Sequence, residues 1–401
     1  MGQSKPEINL DQLNQLAMDW ISADQAITAL GVRRQTLYAY VSRGRIRVQP
    51  DPDEPRRSRY RAADIAALAS RKSRGRKAAN VAADAIAWGE PVLDSSITAV
   101  TAGRLYYRGR DAVALAATET LETVARLLRG GHGAALKRAP KSAPPPFATM
   151  RPRAFAALAL RAGSDPPARG RAALALAVEA VSLLDSLADA VAGQAGAGPI
   201  HERLGRAWGC EPAGFDVIRR ALVLLADHEL NASTFCARVA ASTGASLAAA
   251  CLAGLCALSG PLHGGMAGRV ISFAAEARRL GASEAVAARL ARGDHIPGFG
   301  HPLYPDGDPR AAALLSAFSP PEEFESLARA AHAATGEPAN VDFALVAMSR
   351  ALGLPEDAPF ALFAVARCAG WIAHALEQTT TGTLIRPRAR YVGPSPEPIP
   401  A

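Results

Sequence analysis

Val239-Ala240-Ala241-Ser242-Thr243-Gly244-Ala245-Ser246-Leu247-Ala248-Ala249-Ala250-Cys251-Leu252-Ala253-Gly254-Leu255-Cys256-Ala257-Leu258-Ser259-Gly260-Pro261-Leu262 is a run of 24 residues without a charge. As a single helix it would be long enough to cross a bilayer. Its composition argues otherwise: five residues are Leu, most of the others are Ala, Gly, Ser or Cys, and Gly260-Pro261 closes the run. Small side chains let neighbouring helices approach closely, so the stretch predicts a tightly packed interior helix and no membrane insertion. The theme repeats outward on both sides. Ala- and Leu-rich blocks of helical period, separated by Gly or Pro, lie at 119–129, 153–161, 171–192, 213–228, 231–259, 265–280, 283–292, 309–317, 322–334, 340–352 and 358–378. Strand-like material in this part is almost confined to residues 95–98 and 103–109, and residues 139–153, with five prolines, read as a surface loop. The expected fold class is mainly α.

The chain has 401 residues, 49% of them hydrophobic, enough for two or three domains with a real core. Its net charge of +8 suggests an acidic partner, but the surplus is not spread evenly. Residues 1–77 hold 15 Lys and Arg against 8 Asp and Glu, whereas the other 324 residues hold 30 against 29. Two functions on one chain are therefore expected. The five cysteines are odd in number and form no C-x-x-C pair, so neither a disulfide framework nor a zinc site is indicated, and no metal is expected. The start, Met1-Gly2-Gln3-Ser4-Lys5-Pro6-Glu7, lacks the pattern of a secretory signal, which points to the cytoplasm.

The basic end reads as a small nucleic-acid-binding module. Ser22 is a good N-cap for a helix through Leu30, Gly31-Val32 supplies a turn, and residues 33–41 form a second helix. Gly44 ends that helix, residues 45–48 alternate like a strand, residues 51–55 form a loop and residues 56–61 return as a basic strand. This order of helix-turn-helix, hairpin wing and following helix resembles the winged domains of the MerR and excisionase type over about residues 18–70. The resemblance implies that Arg33, Arg34, Gln35, Thr36 and Tyr38 face the major groove of DNA, with Arg57 and Arg59 on phosphates. The competing reading is a basic module that packs on the rest of the chain or on an acidic protein. Residues 71–80 follow as a charged linker.

The few His and carboxylate residues of the apolar blocks fall beside Gly-rich breaks. Three breaks stand out: Asp227-His228-Glu229-Leu230-Asn231-Ala232-Ser233-Thr234, Gly260-Pro261-Leu262-His263-Gly264-Gly265, and Pro297-Gly298-Phe299-Gly300-His301-Pro302-Leu303-Tyr304 with Asp308-Pro309-Arg310-Ala311. Glycine beside histidine bends the chain and opens backbone N–H groups to a ligand, so these histidines are poorly explained as core filler. Asn340-Val341-Asp342-Phe343 sets a carboxylate among apolar neighbours at a helix head, where desolvation raises its pKa towards that of a useful base. Arg367, inside an apolar block, needs an anionic partner, and Arg386-Pro387-Arg388 lies in the tail. Several arginines, several histidines and one carboxylate suit a small polycarboxylate and proton abstraction next to a carbonyl.

These pieces, with Gly103-Arg104-Leu105-Tyr106-Tyr107-Arg108-Gly109, Gly370-Trp371-Ile372-Ala373-His374 and Tyr391, occur in the order found in the citrate synthase family, which residues 88–393 resemble. The resemblance implies a helical fold of a large domain (78–264 and 354–401) and a small one (265–353), preceded by the winged module with its linker (1–77). It implies Asp342 as the base on the acyl-CoA, His263 as hydrogen-bond partner of the enolate oxygen and His301 as the group polarising the ketone of oxaloacetate. His228, Arg310 and Arg367 would bind oxaloacetate, and Arg386 would reach across from the second subunit of a homodimer. The substrates implied are oxaloacetate with acetyl-CoA or propionyl-CoA, the CoA thioester being a substrate and no cofactor being needed. The backbone of residues 296–300 is the family's usual adenine contact. Pro302 stands where many members carry Arg, and the N-terminal module is an addition to the family pattern.

Overall fold

The structure, a computed structural model, describes residues 20–30, 32, 37–38, 40–41, 46–52, 54, 57–65, 93–131, 144–389 and 391–394. It divides into two compact units, Met1–Asp94 and Ser95–Ala401.

In the first unit, strands β1 (Trp20–Ser22), β2 (Val48–Pro50) and β3 (Ser58–Arg61) form an antiparallel sheet in the order β1-β3-β2. Helix α1 (Ala23–Leu30) starts with a reciprocal cap: Ser22 N–H donates to Gln25 Oε1 (2.9 Å) while Gln25 N–H donates to Ser22 Oγ (3.3 Å). Ile21, Ala26, Leu30, Leu37, Ile46 and Tyr60 make its core. Strand β2 begins later than the sequence suggests, because Asp64 takes both the backbone N–H of Arg47 (3.0 Å) and its guanidinium (2.8 Å). Strand β1 was not foreseen at all; its Ile21 pairs with Tyr60.

The second unit opens with a three-stranded antiparallel sheet, β4 (Thr98–Thr101), β5 (Arg104–Tyr107) and β6 (Arg110–Asp111). Its strands run later than the expected 95–98 because Ala102 and Gly103, both at positive φ (50° and 68°), form the two-residue turn. Fourteen helices follow among the described residues: α2 (Ala112–Thr118), α3 (Leu121–Leu128), α4 (Met150–Ser164), α5 (Ala173–Ala192), α6 (Ile200–Ala207), α7 (Phe215–Leu224), α8 (Ala232–Ser242), α9 (Leu247–Leu258), α10 (Met266–Leu280), α11 (Ala282–Ala291), α12 (Pro309–Leu315), α13 (Glu322–Thr335), α14 (Val341–Ala351) and α15 (Ala358–Thr381).

The block 231–259 is therefore two helices. Gly244 turns the chain at φ 87° and the Ser246 hydroxyl accepts from Ala249 N–H (3.2 Å) to start α9. The uncharged run is thus too broken to span a bilayer as one helix. Helix α15 alone among the described residues is long and apolar enough to do so, and it is buried inside the protein along nearly all its length.

Two hydrophobic clusters organise the unit. The larger is built on α3 to α9 and α15; the smaller draws on α10, α11, α13 and α14, with Val270, Phe273, Ile296, Phe324, Leu327 and Phe343 at its centre. Helix α14 belongs to both. Val341, Ala344, Leu345 and Met348 enter the larger cluster, while Phe343, Val346 and Ala347 enter the smaller.

Candidate active site

The Gly-punctuated breaks meet at one place in the second unit. His228, buried between α7 and α8, places Nε2 2.9 Å from the Tyr304 hydroxyl, and its ring meets that of His301 edge-on with centroids 5.3 Å apart. The His301 and Tyr304 rings are 4.9 Å apart. The turn that presents His228 is held open by Glu229, which sits in the left-handed region (φ 51°). Its carboxylate accepts from Val100 N–H (2.6 Å), tying the turn to β4.

The loop carrying His301 is stitched to the head of α14. Gly300 N–H donates to Pro338 O (2.9 Å) and Asn340 N–H to Gly298 O (2.8 Å). Asn340 caps α14 by accepting from Asp342 N–H (3.0 Å) and donates its own amide to Gly300 O (3.0 Å). Gly298 (φ 86°) is required here, since a Cβ would fall 2.9 Å from Val270 and 3.0 Å from Phe343. His301 and Asp342 thus share one frame.

Arg310 is gripped bidentately by Asp308, both bonds at 2.9 Å, and Asp308 also accepts from Val341 N–H (3.0 Å). Arg367 donates Nε–H to Leu225 O (3.0 Å) and lies over Phe363, but its buried Nη2 has no hydrogen-bond partner. The buried Oδ1 of Asp342 is unpartnered as well. Burial pushes the Asp342 carboxyl up to about 7, against the downward pull of Arg310 and Arg367. From its ordinary value this amounts to roughly 4 kcal/mol against the ionised form.

Burial, with Arg367 beside one and Arg310 beside the other, brings His263 and His301 down to about 4; burial also holds His228 well below its usual range. All three are neutral at pH 7. Leu303 N–H donates to His301 Nδ1 (3.2 Å), which puts the His301 proton on Nε2. His263 Nε2 is 2.9 Å from Ser233 Oγ, which also receives the Trp371 indole N–H (3.2 Å). The Ser233 hydroxyl donates to Asn231 Oδ1 (2.7 Å), which also accepts the N–H groups of Ser233 and Thr234. Ser233 Oγ therefore accepts at His263, and the His263 proton sits on Nε2.

The structure brings together His228, His263, His301, Arg310, Asp342 and Arg367. It does not bring Arg386, which is exposed in the tail beyond α15. In the first unit Arg33, Arg34, Gln35 and Thr36 lie outside the described residues, Tyr38 is exposed, Arg57 pairs with Glu54 (2.8 Å) and Arg59 with Asp51 (2.9 Å). Among the described residues no three His, Cys, Asp or Glu side chains are grouped to hold a metal. Sequence reasoning gave no role to Asp227, Ser233, Tyr304, Asp308, Trp371 or His374. All six stand inside the quoted motifs, so the signal was position beside a candidate residue.

Fold and site define a helical protein that sets an unpartnered carboxylate among two arginines and three neutral histidines. The family sequence model described as "Citrate synthase, C-terminal domain" matches residues 134–388, and the chain belongs to the citrate synthase family. It is 38% identical over 199 residues to "Putative citrate synthase 2" of Mycobacterium tuberculosis, a match covering 46% of this chain and 53% of that protein. With "2-methylcitrate synthase" of Shewanella oneidensis it shares 32% identity over 190 residues, covering 45% and 51%. The chain spans about half the length of the curated relatives it matches. The crystal structure of citrate synthase from Thermotoga maritima is similar with a TM-score of 0.63 at 27% identity, over 78% of this chain and 96% of that one.

Proposed function

We propose that the second unit condenses acetyl-CoA with oxaloacetate, releasing citrate and CoA. The observation that carries this reading is the buried, unpartnered Asp342 Oδ1, poised near 7 beside Arg310 and Arg367. A thioester α-proton is a weak acid, so the base must be close and the developing oxyanion must meet a preorganised donor. Asp342 takes the methyl proton and His263 hydrogen-bonds the resulting enol or enolate oxygen. The carbanion then attacks the ketone carbon of oxaloacetate, polarised by His301 Nε2–H, and hydrolysis of the thioester frees CoA. His228, Arg310 and Arg367 hold the two carboxylates, guanidinium groups being suited to bidentate grip. Arg386 completes the site of the other subunit in a homodimer, and a small domain of residues 265–353 closes on the large one after oxaloacetate binds.

The relative named 2-methylcitrate synthase favours a second reading, with propionyl-CoA as the acyl donor. One methylene alters such a pocket by about 1–3 kcal/mol, so comparison of both acyl-CoAs at saturating oxaloacetate decides between them. The basic first unit supports a DNA-binding winged module in a cytoplasmic protein. Thiol release with each acyl-CoA is the primary test, and Asp342→Asn is expected to lower kcat about 10²- to 10⁴-fold. A wild-type chain that binds oxaloacetate and DNA but frees no thiol would instead be a ligand-sensing regulator.

A further inference from the structure

A chain of polar groups runs from the buried site to the exposed Ser96, just ahead of β4, and the reaction itself uses none of them. Asp227 is fully buried; its Oδ2 meets His374 Nε2 (3.2 Å) and its Oδ1 has no hydrogen-bond partner. His374 Nδ1 meets Arg238 Nη1 (3.1 Å). A guanidinium only donates, so Nδ1 accepts and the single His374 proton must sit on Nε2, aimed at Asp227. Arg238 is itself fixed by Gln378 (3.0 Å) and Glu377 (2.6 Å), and Glu377 accepts from Ser96 N–H (2.9 Å) and its hydroxyl (2.8 Å).

Burial lowers Arg367 to about 10, and the Asp227 carboxylate pulls it back upward. Gly370, one turn on from Arg367 in α15, lets the Asp227 turn pack against that helix: a Cβ there would lie 2.2 Å from Asp227 Oδ1 and 2.6 Å from Ala226 O.

We propose that Asp227 and His374 are positioning residues for Arg367: Asp227 supplies the countercharge that offsets burial of the guanidinium in a dry site, and His374 fixes that carboxylate. Because Asp227 takes its hydrogen bond from His374, it neutralises Arg367 at a distance and leaves Nη2–H free for a ligand carboxylate. A direct Asp–Arg fork, as at Asp308–Arg310, would occupy those donors. The inference rests on the oxaloacetate-binding reading of Arg367.

The test uses the full-length chain with His374→Gln, Asp227→Asn and the double variant, measuring kcat and both KM values by thiol release and oxaloacetate affinity by calorimetry. Loss of a charge-assisted bond predicts an oxaloacetate KM and Kd raised about tenfold or more, with the acyl-CoA KM within about twofold of wild type. The double variant should cost no more than Asp227→Asn alone, since His374 acts through Asp227. Circular dichroism checks folding, and His374→Gln alone carries the test if Asp227→Asn does not fold. An unchanged oxaloacetate KM and Kd in His374→Gln overturns the proposal, as does an equal rise in both KM values. If the wild type frees no thiol yet binds oxaloacetate, the catalytic reading fails while the Kd shift still judges this one.

Discussion

Asp342 carries a conflict between its place and its charge. Burial favours its protonated form, yet a base must be ionised, so kcat/KM is expected to rise tenfold per pH unit below about 7 and level off above it. His263 and His301, at about 4, add no limb above pH 5. A profile flat from pH 5.5 to 8 would remove Asp342 from the role of base. Stability follows the opposite sign. The folded-state value lies above the unfolded one, so the contribution of the protonated carboxyl is complete below about 4 and lost as pH rises through 7. Asp342→Asn, which cannot ionise, is therefore expected to melt a few degrees above wild type at pH 8 and level with it at pH 4, readable by calorimetry. His263, His301 and Asp342 were legible as candidates because glycine or a helix head set them apart. Ser233 and Tyr304 were not, since a hydroxyl in a helix or loop gains its meaning only from the imidazole it meets across the fold.

At the scale of elements, α15 presents Arg367, Gly370, Trp371, His374, Glu377 and Gln378 along a line of i, i+3 and i+4 steps. Gly370 is the point of closest approach. Alanine would add helix propensity of about 1 kcal/mol, but a Cβ 2.2 Å from a carboxylate oxygen forces the helix and the turn apart. Gly370→Ala is expected to destabilise by at least about 1–3 kcal/mol, whereas Gly268→Ala in α10, whose Cβ would meet nothing within 4 Å, should stabilise by about 0.5–1 kcal/mol. Denaturant titration of both separates the effects. Helix blocks were largely visible in the sequence because Ala and Leu keep a 3.6-residue period between Gly and Pro. The division of 231–259 was hidden, since Gly244 amid small residues looks no different from Gly254, which instead packs against Trp371 inside α9. The two-residue turn at Ala102-Gly103 was missed for a related reason: alanine gives no hint of a positive φ.

For the whole molecule, the two units have separate hydrophobic cores, and the six residues of the candidate site all belong to the second. Removal of residues 1–77 is expected to leave kcat within about twofold; a loss beyond tenfold would make the basic unit part of the enzyme. The charge imbalance between the ends was plain in the sequence, while the supply of Arg386 by a second copy rests on resemblance and on an exposed tail, and sedimentation of the active species checks it. The dual membership of α14 has a mechanical consequence. Its residues alternate between the larger and smaller clusters, so the smaller cannot swing as a free flap without tearing apolar packing beside the carboxylate it carries. Packed helices of this kind slide past one another by an ångström or two without unpacking. Substrate engulfment would then proceed by shear, with Asp342 riding on the sliding element and its reach set by small displacements of that helix.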